Sequence, residues 1–138
     1  MRIPSANLER IKSIYAAFGR GDIAYILESV HPEVDWEPGA HHGDRIPWLQ
    51  PGRGRDAVSA FFRALGALRF EAFEVIAVMG EGPWVVGLCR VEAVHTGTGG
   101  RLVEPCEAHI WRLDEQGRIV SMRHAADTLH HAEVCGSL

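Results

Sequence analysis

The sequence contains no long hydrophobic run. Its 138 residues are 46% hydrophobic, but the apolar residues fall in short periodic runs. None of these runs approaches the ~20 residues that a membrane-spanning helix needs. The first residues lead straight into an amphipathic pattern and do not form a signal peptide. We therefore expect one domain over residues 1–138 with no membrane partner.

Cysteine is scarce, and its spacing is not that of a disulfide framework. Cys89, Cys106 and Cys135 are an odd, scattered set without a C-x-x-C motif. Such a set is typical of proteins in a reducing compartment. The expected location is therefore the cytoplasm.

Positive charge is also sparse. Fourteen Lys and Arg residues face eighteen Asp and Glu residues, so the net charge is −4, and no basic block is present. A nucleic-acid-binding protein needs a patch that neutralises phosphates, and this chain has none. A small neutral or weakly acidic ligand is the better expectation.

Apolar residues at helical spacing predict three helices in the first half of the chain, at about 5–18, 22–30 and 55–67. A short strand is expected at 33–37. Residues 38–54 form a long loop rich in Gly, Pro and His. Because the loop also carries Trp48, we interpret it as a lid over a site.

The second half of the chain has the alternation of β-strands. Four strands are predicted at 70–79, 84–95, 102–113 and 118–127, joined by short turns, which indicates an antiparallel meander. Helices followed by strands give an α+β architecture in which the three helices pack on one face of the sheet.

The last two strands are predicted to form a hairpin around the turn at residues 114–117. The expected register pairs Leu113 with Arg118, Trp111 with Val120, His109 with Met122, and Glu107 with His124. These side chains share one face because strand residues alternate. The face is apolar near the turn and ionisable at its far end, which favours the wall of a ligand pocket.

This order of elements resembles the nuclear transport factor 2-like cone, the fold of ketosteroid isomerase and of the SnoaL-like polyketide cyclases. The resemblance extends from Leu8 to about Val134 and rests on AAFGRGDIAYILESVHPEVDWEP, GRGRDAVSAFF and GRIVSMRHAADT. It implies three helices packed on a curved, mostly antiparallel sheet. It also implies a homodimer. Fold alone does not imply an activity.

The resemblance to the isomerase assigns roles to particular residues. Its general base matches Glu37 before Pro38, and its protonated carboxylic acid falls at His109. Its oxyanion tyrosine falls at Ile14. Tyr15 is one residue away and would point elsewhere on the helix, although it remains a candidate for the pocket wall.

The polyketide cyclases place an acidic base in the last strand, where this chain has His124, and a second acidic position just beyond it matches Asp127. We expect His124 to be the base, with Glu107 opposite it in the hairpin to fix its tautomer. Glu37 is the rival base, and His109 is the expected donor to the substrate oxygen. The expected pocket residues are Trp36, Trp48, Trp111, Met122, Phe62 and Tyr15.

The remaining motifs are interpreted without a metal or a cofactor. Glu107, His109 and His124 are possible metal ligands, as is the loop sequence His41-His42-Gly43-Asp44, but such spacing is common by chance and we expect no metal. The G-x-G in residues 52–57 lacks the preceding buried strand of a dinucleotide site, so no cofactor is expected. His130 and His131 are interpreted as solvated surface.

The leading functional hypothesis is a cofactor-independent enzyme that acts on a small, apolar, polyketide- or steroid-like carbonyl compound. Proton abstraction would lead to isomerisation, cyclisation or dehydration. The alternatives are a non-catalytic ligand-binding or dimerisation module and an epoxide hydrolase, which needs an Asp-Arg-Asp set. The expected dimer uses the convex sheet face, because the strands at 84–95 and 102–113 carry more apolar residues than one core requires: Val85, Val86, Leu88, Val91 and Ile110.

Overall fold

A computed structural model describes residues 4–138. The helices are α1 (Pro4–Gly19), α2 (Ile23–Ser29), α3 (Arg55–Leu65) and α4 (Thr128–Val134), with a single turn of 3-10 helix at Pro47–Leu49. The strands are β1 (Val30–Trp36), β2 (Gly52–Arg53), β3 (Leu68–Glu81), β4 (Trp84–His95), β5 (Arg101–Leu113) and β6 (Ile119–Ala125). The predicted α+β class is confirmed, and so are its three N-terminal helices.

Local chemistry sets the ends of the helices. The Asp22 side chain accepts the backbone N–H of Tyr25 at 3.1 Å and caps α2. That helix ends at Ser29, two residues before the His31-Pro32 pair, because a residue that precedes proline avoids the helical conformation. The chain then continues directly into β1.

The six strands form one mixed sheet in the order β2-β1-β6-β5-β4-β3. Strands β3 to β6 pair with one another in antiparallel fashion, which confirms the predicted meander. Strand β1 lies parallel to β6, with Trp36 beside Met122. This pairing brings the end of the first strand to the end of the last one.

The predicted hairpin register was wrong by two residues. In the structure His109 pairs with His124, and Trp111 pairs with Met122. The turn takes one more residue than expected, so that Leu113 pairs with Ile119, and an irregularity next to Val120 adds a second residue. Two single shifts leave the alternation of side chains unchanged. The expected face is therefore preserved, but Glu107 is no longer opposite His124.

The helices pack on one face of the sheet, and α1 buries Ile11, Ile14 and Ala17 there. At Gly87 of β4 the helix approaches the sheet so closely that an added Cβ would lie 1.9 Å from the Tyr15 hydroxyl. Gly87 thus leaves room for the Tyr15 ring to cross β4. None of the helices in residues 4–138 is long and apolar enough to span a membrane.

Helix α4 was not predicted. The Asp127 carboxylate, expected in the site as a second acid, instead accepts the backbone N–H of His130 at 3.2 Å and starts this helix. The helix directs His131 inward, where the residue is only 3% exposed. The interpretation of His131 as solvated surface was therefore wrong.

Candidate active site

A cavity of about 70 Å³ lies between the helices and the sheet. This volume has room for only a few water molecules, so a larger ligand has to move side chains when it enters. The wall is mainly aromatic and includes Tyr15, Trp36, Trp48, Phe61 and Trp111. The ionisable residues that line it are Glu107, His109, His124 and His131.

Most of the expected pocket residues lie in this wall. Phe62 does not, because α3 presents the preceding residue, Phe61, to the cavity instead. Phe62 packs behind it against Phe18, with the ring centroids 6.2 Å apart. Trp48 and Leu49 come from the loop between β1 and α3, which forms one side of the cavity.

His124, in the cavity wall, forms a hydrogen-bonded pair with Glu37, which does not itself line the cavity. The Glu37 side chain accepts the Nδ1–H of His124 and also the backbone N–H of His124 at 3.0 Å. Because a carboxylate only accepts, the ring proton is assigned to Nδ1. The Nε2 atom of His124 then carries the free lone pair, and it has no hydrogen-bond partner among residues 4–138. The two candidate bases are therefore one unit.

Glu37 has an unusual backbone conformation. Its φ is +53°, the only positive value at a non-glycine residue between 4 and 138. Its N–H donates to the Met122 carbonyl at 2.8 Å, and its side chain is anchored by His124. Residues other than glycine rarely adopt this backbone conformation, and those that are held in it cluster at functional sites.

A chain of buried hydrogen bonds runs from Trp111 to Glu107. The Trp111 indole N–H donates to the Tyr15 hydroxyl at 3.2 Å, and that hydroxyl lies 2.8 Å from Nδ1 of His109. The His109 Nε2 atom lies 2.8 Å from the Glu107 carboxylate. In the neutral imidazole Nε2 carries the proton for Glu107 and Nδ1 accepts from Tyr15. Both ring nitrogens of His109 are therefore occupied.

Tyr15 contributes to the site although the sequence placed it off the expected position. Burial, together with the neighbouring Cys89 and Glu107, raises the pKa of Tyr15 above its usual range, so the hydroxyl keeps its proton. The space above Gly87 allows the ring to reach the two polar groups that it bridges.

A second chain runs from Trp48 to Glu104. The Trp48 indole N–H donates to Nδ1 of His131 at 2.9 Å, and the His131 Nε2 atom lies 3.1 Å from Glu104. Since an indole only donates, Nδ1 of His131 has to be the acceptor. Burial lowers the pKa of His131 to about 4, so its ring is neutral at physiological pH.

The two chains meet at Glu107, whose carboxylate lies 3.9 Å from Nε2 of His131. Burial acts to raise the pKa of Glu107, but the hydrogen bond from His109 and the nearby histidine charges together lower it. Burial and the charge of Glu107 raise the pKa of Glu104. Within residues 4–138, no lysine or arginine forms an ion pair with these two glutamates or with Glu37. The polar end of the cavity is therefore unsuited to an anion.

A model of the SnoaL-like domain matches residues 11–122. The chain belongs to the SnoaL-like family. No curated protein sequence matches it.

Solved structures share this SnoaL-like fold over nearly their whole length. A nuclear transport factor 2-like protein from Burkholderia thailandensis is 28% identical, with a TM-score of 0.79 and coverage of 97% of this chain and 98% of the other. A protein from Jannaschia sp. CCS1, provisionally described as a SnoaL-like polyketide cyclase, is 19% identical, with a TM-score of 0.74 and coverage of 100% and 96%. TerC, co-crystallised with polyporic acid, is 24% identical, with a TM-score of 0.71 and coverage of 96% and 99%.

Within residues 4–138, two residue sets offer metal-ligand atoms within 4.8 Å of one another: Glu107 with His109 and His124, and Glu104 with Glu107 and His131. His109 and His131 already use both ring nitrogens in hydrogen bonds, so a metal would have to break the two chains. The loop residues His41 and His42 lie apart from both sets, in a separate surface hollow.

The sequence interpretation missed Glu104, Phe61 and His131. The signal for His131 was present. Asp127 is a typical N-cap residue, and the apolar residues Leu129 and Ala132 follow it at helical spacing. Glu104 lies three residues before Glu107 in β5, so simple alternation would place the two side chains on opposite faces. A bulge in β5 opposite Arg90 puts both side chains on the buried face instead.

Proposed function

We propose that this SnoaL-like protein is a cofactor-independent enzyme that removes a proton next to the carbonyl group of a small, uncharged, largely apolar compound. The observation that carries the proposal is the His124–Glu37 pair, which leaves Nε2 of His124 as the free nitrogen of a ring that lines the cavity. A histidine oriented in this way by a carboxylate is a suitable general base.

The reaction begins when Nε2 of His124 takes the proton from the carbon next to the carbonyl. The C–H electron pair forms a C=C bond, and the carbonyl π pair moves to the oxygen as an enolate. Glu37 accepts Nδ1–H and stabilises the resulting imidazolium. Return of the proton from Nε2 to another carbon of a conjugated enolate gives isomerisation. Attack of the enolate carbon on a second carbonyl, whose oxygen takes the proton from Nε2, gives cyclisation. Loss of a β-hydroxyl, which leaves as water with that proton, gives dehydration.

Glu107 and His109 have a supporting role in this scheme. The His109 ring lies 4.7 Å from the His124 ring between centroids, and Glu107 holds its N–H. Because that N–H is used internally, we assign His109 to positioning the cavity wall and Tyr15 rather than to direct donation to the substrate oxygen.

The lining of the cavity indicates the substrate class. The wall is apolar except for one glutamate and three histidines, and no lysine or arginine of residues 4–138 belongs to it. An uncharged carbonyl compound with an aromatic or alicyclic frame suits this wall. TerC, a protein of similar fold, was co-crystallised with polyporic acid.

Hydrogen exchange gives a test that does not require the natural substrate. The protein is incubated in D₂O with β-tetralone, cyclohexanone or acetophenone, and loss of the α-proton signal is followed by NMR. We expect exchange above the buffer rate. His124→Ala should lower it by roughly two to four orders of magnitude, the usual contribution of a positioned base.

The matched control is His41→Ala, which removes an exposed histidine and should exchange like the wild type. Ketone binding without exchange would support a binding module instead. An epoxide hydrolase is less suitable, because neither an aspartate nor an arginine of residues 4–138 lines the cavity to supply its Asp-Arg-Asp set.

The homodimer remains a proposal and needs one correction. Val85 and Val91 are 0% and 3% exposed and therefore belong to the core. The apolar residues that remain on the surface of β3 include Ile76 and Met79, which are 53% and 48% exposed. We propose that these residues lie at the dimer interface.

A further inference from the structure

The indole N–H of Trp36 has no hydrogen-bond partner. It is the one buried side-chain nitrogen or oxygen in residues 4–138 that lacks a partner. Trp48 and Trp111, the other two tryptophans in the cavity wall, donate to His131 and Tyr15. Trp36 is 2% exposed, so solvent does not replace the missing acceptor.

A buried, unpaired N–H has a cost in free energy, and folded proteins contain few of them. Buried tryptophans normally place this group near an acceptor. Trp36 lines the cavity, where a bound molecule can supply an acceptor that the chain itself does not. The unpaired donor is therefore an independent indication of a ligand with a hydrogen-bond acceptor.

Trp36 lies close to the proposed base. It is the last residue of β1, immediately before Glu37, and pairs with Met122 of β6. The Phe61 ring contacts both sides, with its centroid 5.4 Å from the Trp36 ring and 5.4 Å from the His124 ring. Trp36 and His124 are thus both neighbours of Phe61 in the cavity wall.

We propose that Nε1–H of Trp36 binds the carbonyl oxygen of the ligand and stabilises it as negative charge develops there. The inference rests on the proposed function, because the oxygen in question belongs to the carbonyl whose neighbouring proton His124 removes. Since His109 has both ring nitrogens engaged, Trp36 is the side chain left to perform this task.

The ligand selected by this donor is a neutral ketone or a related oxygen acceptor on an apolar frame. The matched hydrocarbon fills the same space but offers no acceptor. A comparison of each ketone with its hydrocarbon therefore isolates the hydrogen bond from the contribution of apolar contact.

The test measures binding by calorimetry for three matched pairs: β-tetralone with tetralin, cyclohexanone with cyclohexane, and acetophenone with ethylbenzene. Trp36→Phe removes the N–H and keeps an aromatic ring. We expect at least one ketone to bind the wild type and to lose affinity roughly fivefold to tenfold in the variant, as one neutral hydrogen bond allows. The hydrocarbon of that pair should bind both proteins equally. Trp84→Phe, at an exposed tryptophan, should change neither.

A second measurement follows ligand binding to the wild-type protein, and the variant serves only to assign one signal. The chain has four tryptophans, and the indole N–H signal that disappears in Trp36→Phe identifies residue 36 in a ¹⁵N–¹H spectrum. Titration with the ketone should move this signal more than the other indole signals, and the hydrocarbon should not.

Three results would overturn the inference: no ketone binds the wild type, ketone and hydrocarbon lose affinity equally in Trp36→Phe, or the Trp36 signal does not respond to a bound ketone. The proposed function fails differently. If a ketone depends on Trp36 for binding but shows no α-proton exchange, the proposed enzymatic function is refuted. The hydrogen bond from Trp36 to the ligand is then still supported.

Discussion

Nδ1 of His124 is hydrogen-bonded to the carboxylate of Glu37, a residue 87 positions earlier in the chain. The parallel pairing of β1 with β6 makes this contact possible, because it brings the ends of both strands together. The strained backbone of Glu37 turns its side chain toward the histidine. The backbone of β1, Glu37 and β6 therefore positions the two side chains of the pair.

Replacing Glu37 with glutamine tests the orientation of the base. The amide oxygen can still accept a hydrogen bond, but the charge that stabilises the imidazolium is lost. We expect the rate of ketone exchange to fall by about tenfold or more, with little change in ketone affinity, because the charge matters mainly in the transition state. Exchange kinetics at several ketone concentrations separate the two effects. An equal rate in Glu37→Gln and wild type would show that the carboxylate does not assist the base.

Stability should depend on pH through His131. Its pKa is near 6.5 in an unfolded chain and about 4 in the folded protein, where burial disfavours the charge. Between these values the unfolded chain binds more protons at this site. The contribution of His131 to stability is therefore fully present above about 6.5 and falls as the pH drops toward 4, by about 3 kcal/mol.

The matched variant for this prediction is His131→Gln, which can accept from Trp48 and donate to Glu104 but does not titrate. Urea unfolding across this pH range should show a flatter dependence in the variant. Glu104 acts in the opposite direction, since burial raises its pKa, and it is present in both proteins. Identical pH slopes in the two proteins would contradict the assignment.

Gly87 should tolerate no side chain. A Cβ there would lie 1.9 Å from the Tyr15 hydroxyl and 2.7 Å from the ring carbon that carries it. Gly87→Ala therefore has to displace Tyr15 from Trp111 and His109, which we expect to lower the free energy of unfolding by about 1–3 kcal/mol. Gly19→Ala is the control, because nothing lies within 4 Å of an added Cβ at that helix end. Equal urea midpoints for the two variants would show that Tyr15 can move freely.

The proposed dimer can be tested by light scattering at tens of micromolar protein. We expect the mass of two chains for the wild type and a shift toward one chain for Ile76→Glu, because a charge at an apolar interface is costly to bury. Leu129→Glu changes another exposed apolar residue, on α4, and should leave the mass unchanged. A wild type of monomer mass would contradict the proposal.

The sequence was sufficient to predict the order of elements from α1 to β6, except for the two-residue strand β2, and the face that lines the cavity, because both follow from periodicity. It could not provide the partners across the hairpin. The irregularity at Val120 and the longer turn each move the pairing by one residue, and neither has a clear local signature.

The periodicity of the sequence also could not predict the direction of individual side chains. Tyr15 reaches the site because Gly87, on a distant strand, leaves space for it. Phe61 rather than Phe62 lines the cavity, and Phe62 packs against Phe18 of α1 instead. Such choices depend on tertiary packing, and spacing along one helix does not encode them.

The parallel placement of β1 beside β6 also has a consequence for folding order. Glu37 is synthesised 87 residues before His124. The carboxylate therefore has no histidine to orient until the last strand docks between β1 and β5. The hydrogen bond between Glu37 and His124 therefore forms only when the sheet is complete. A partly folded chain with native helices would still lack an oriented base.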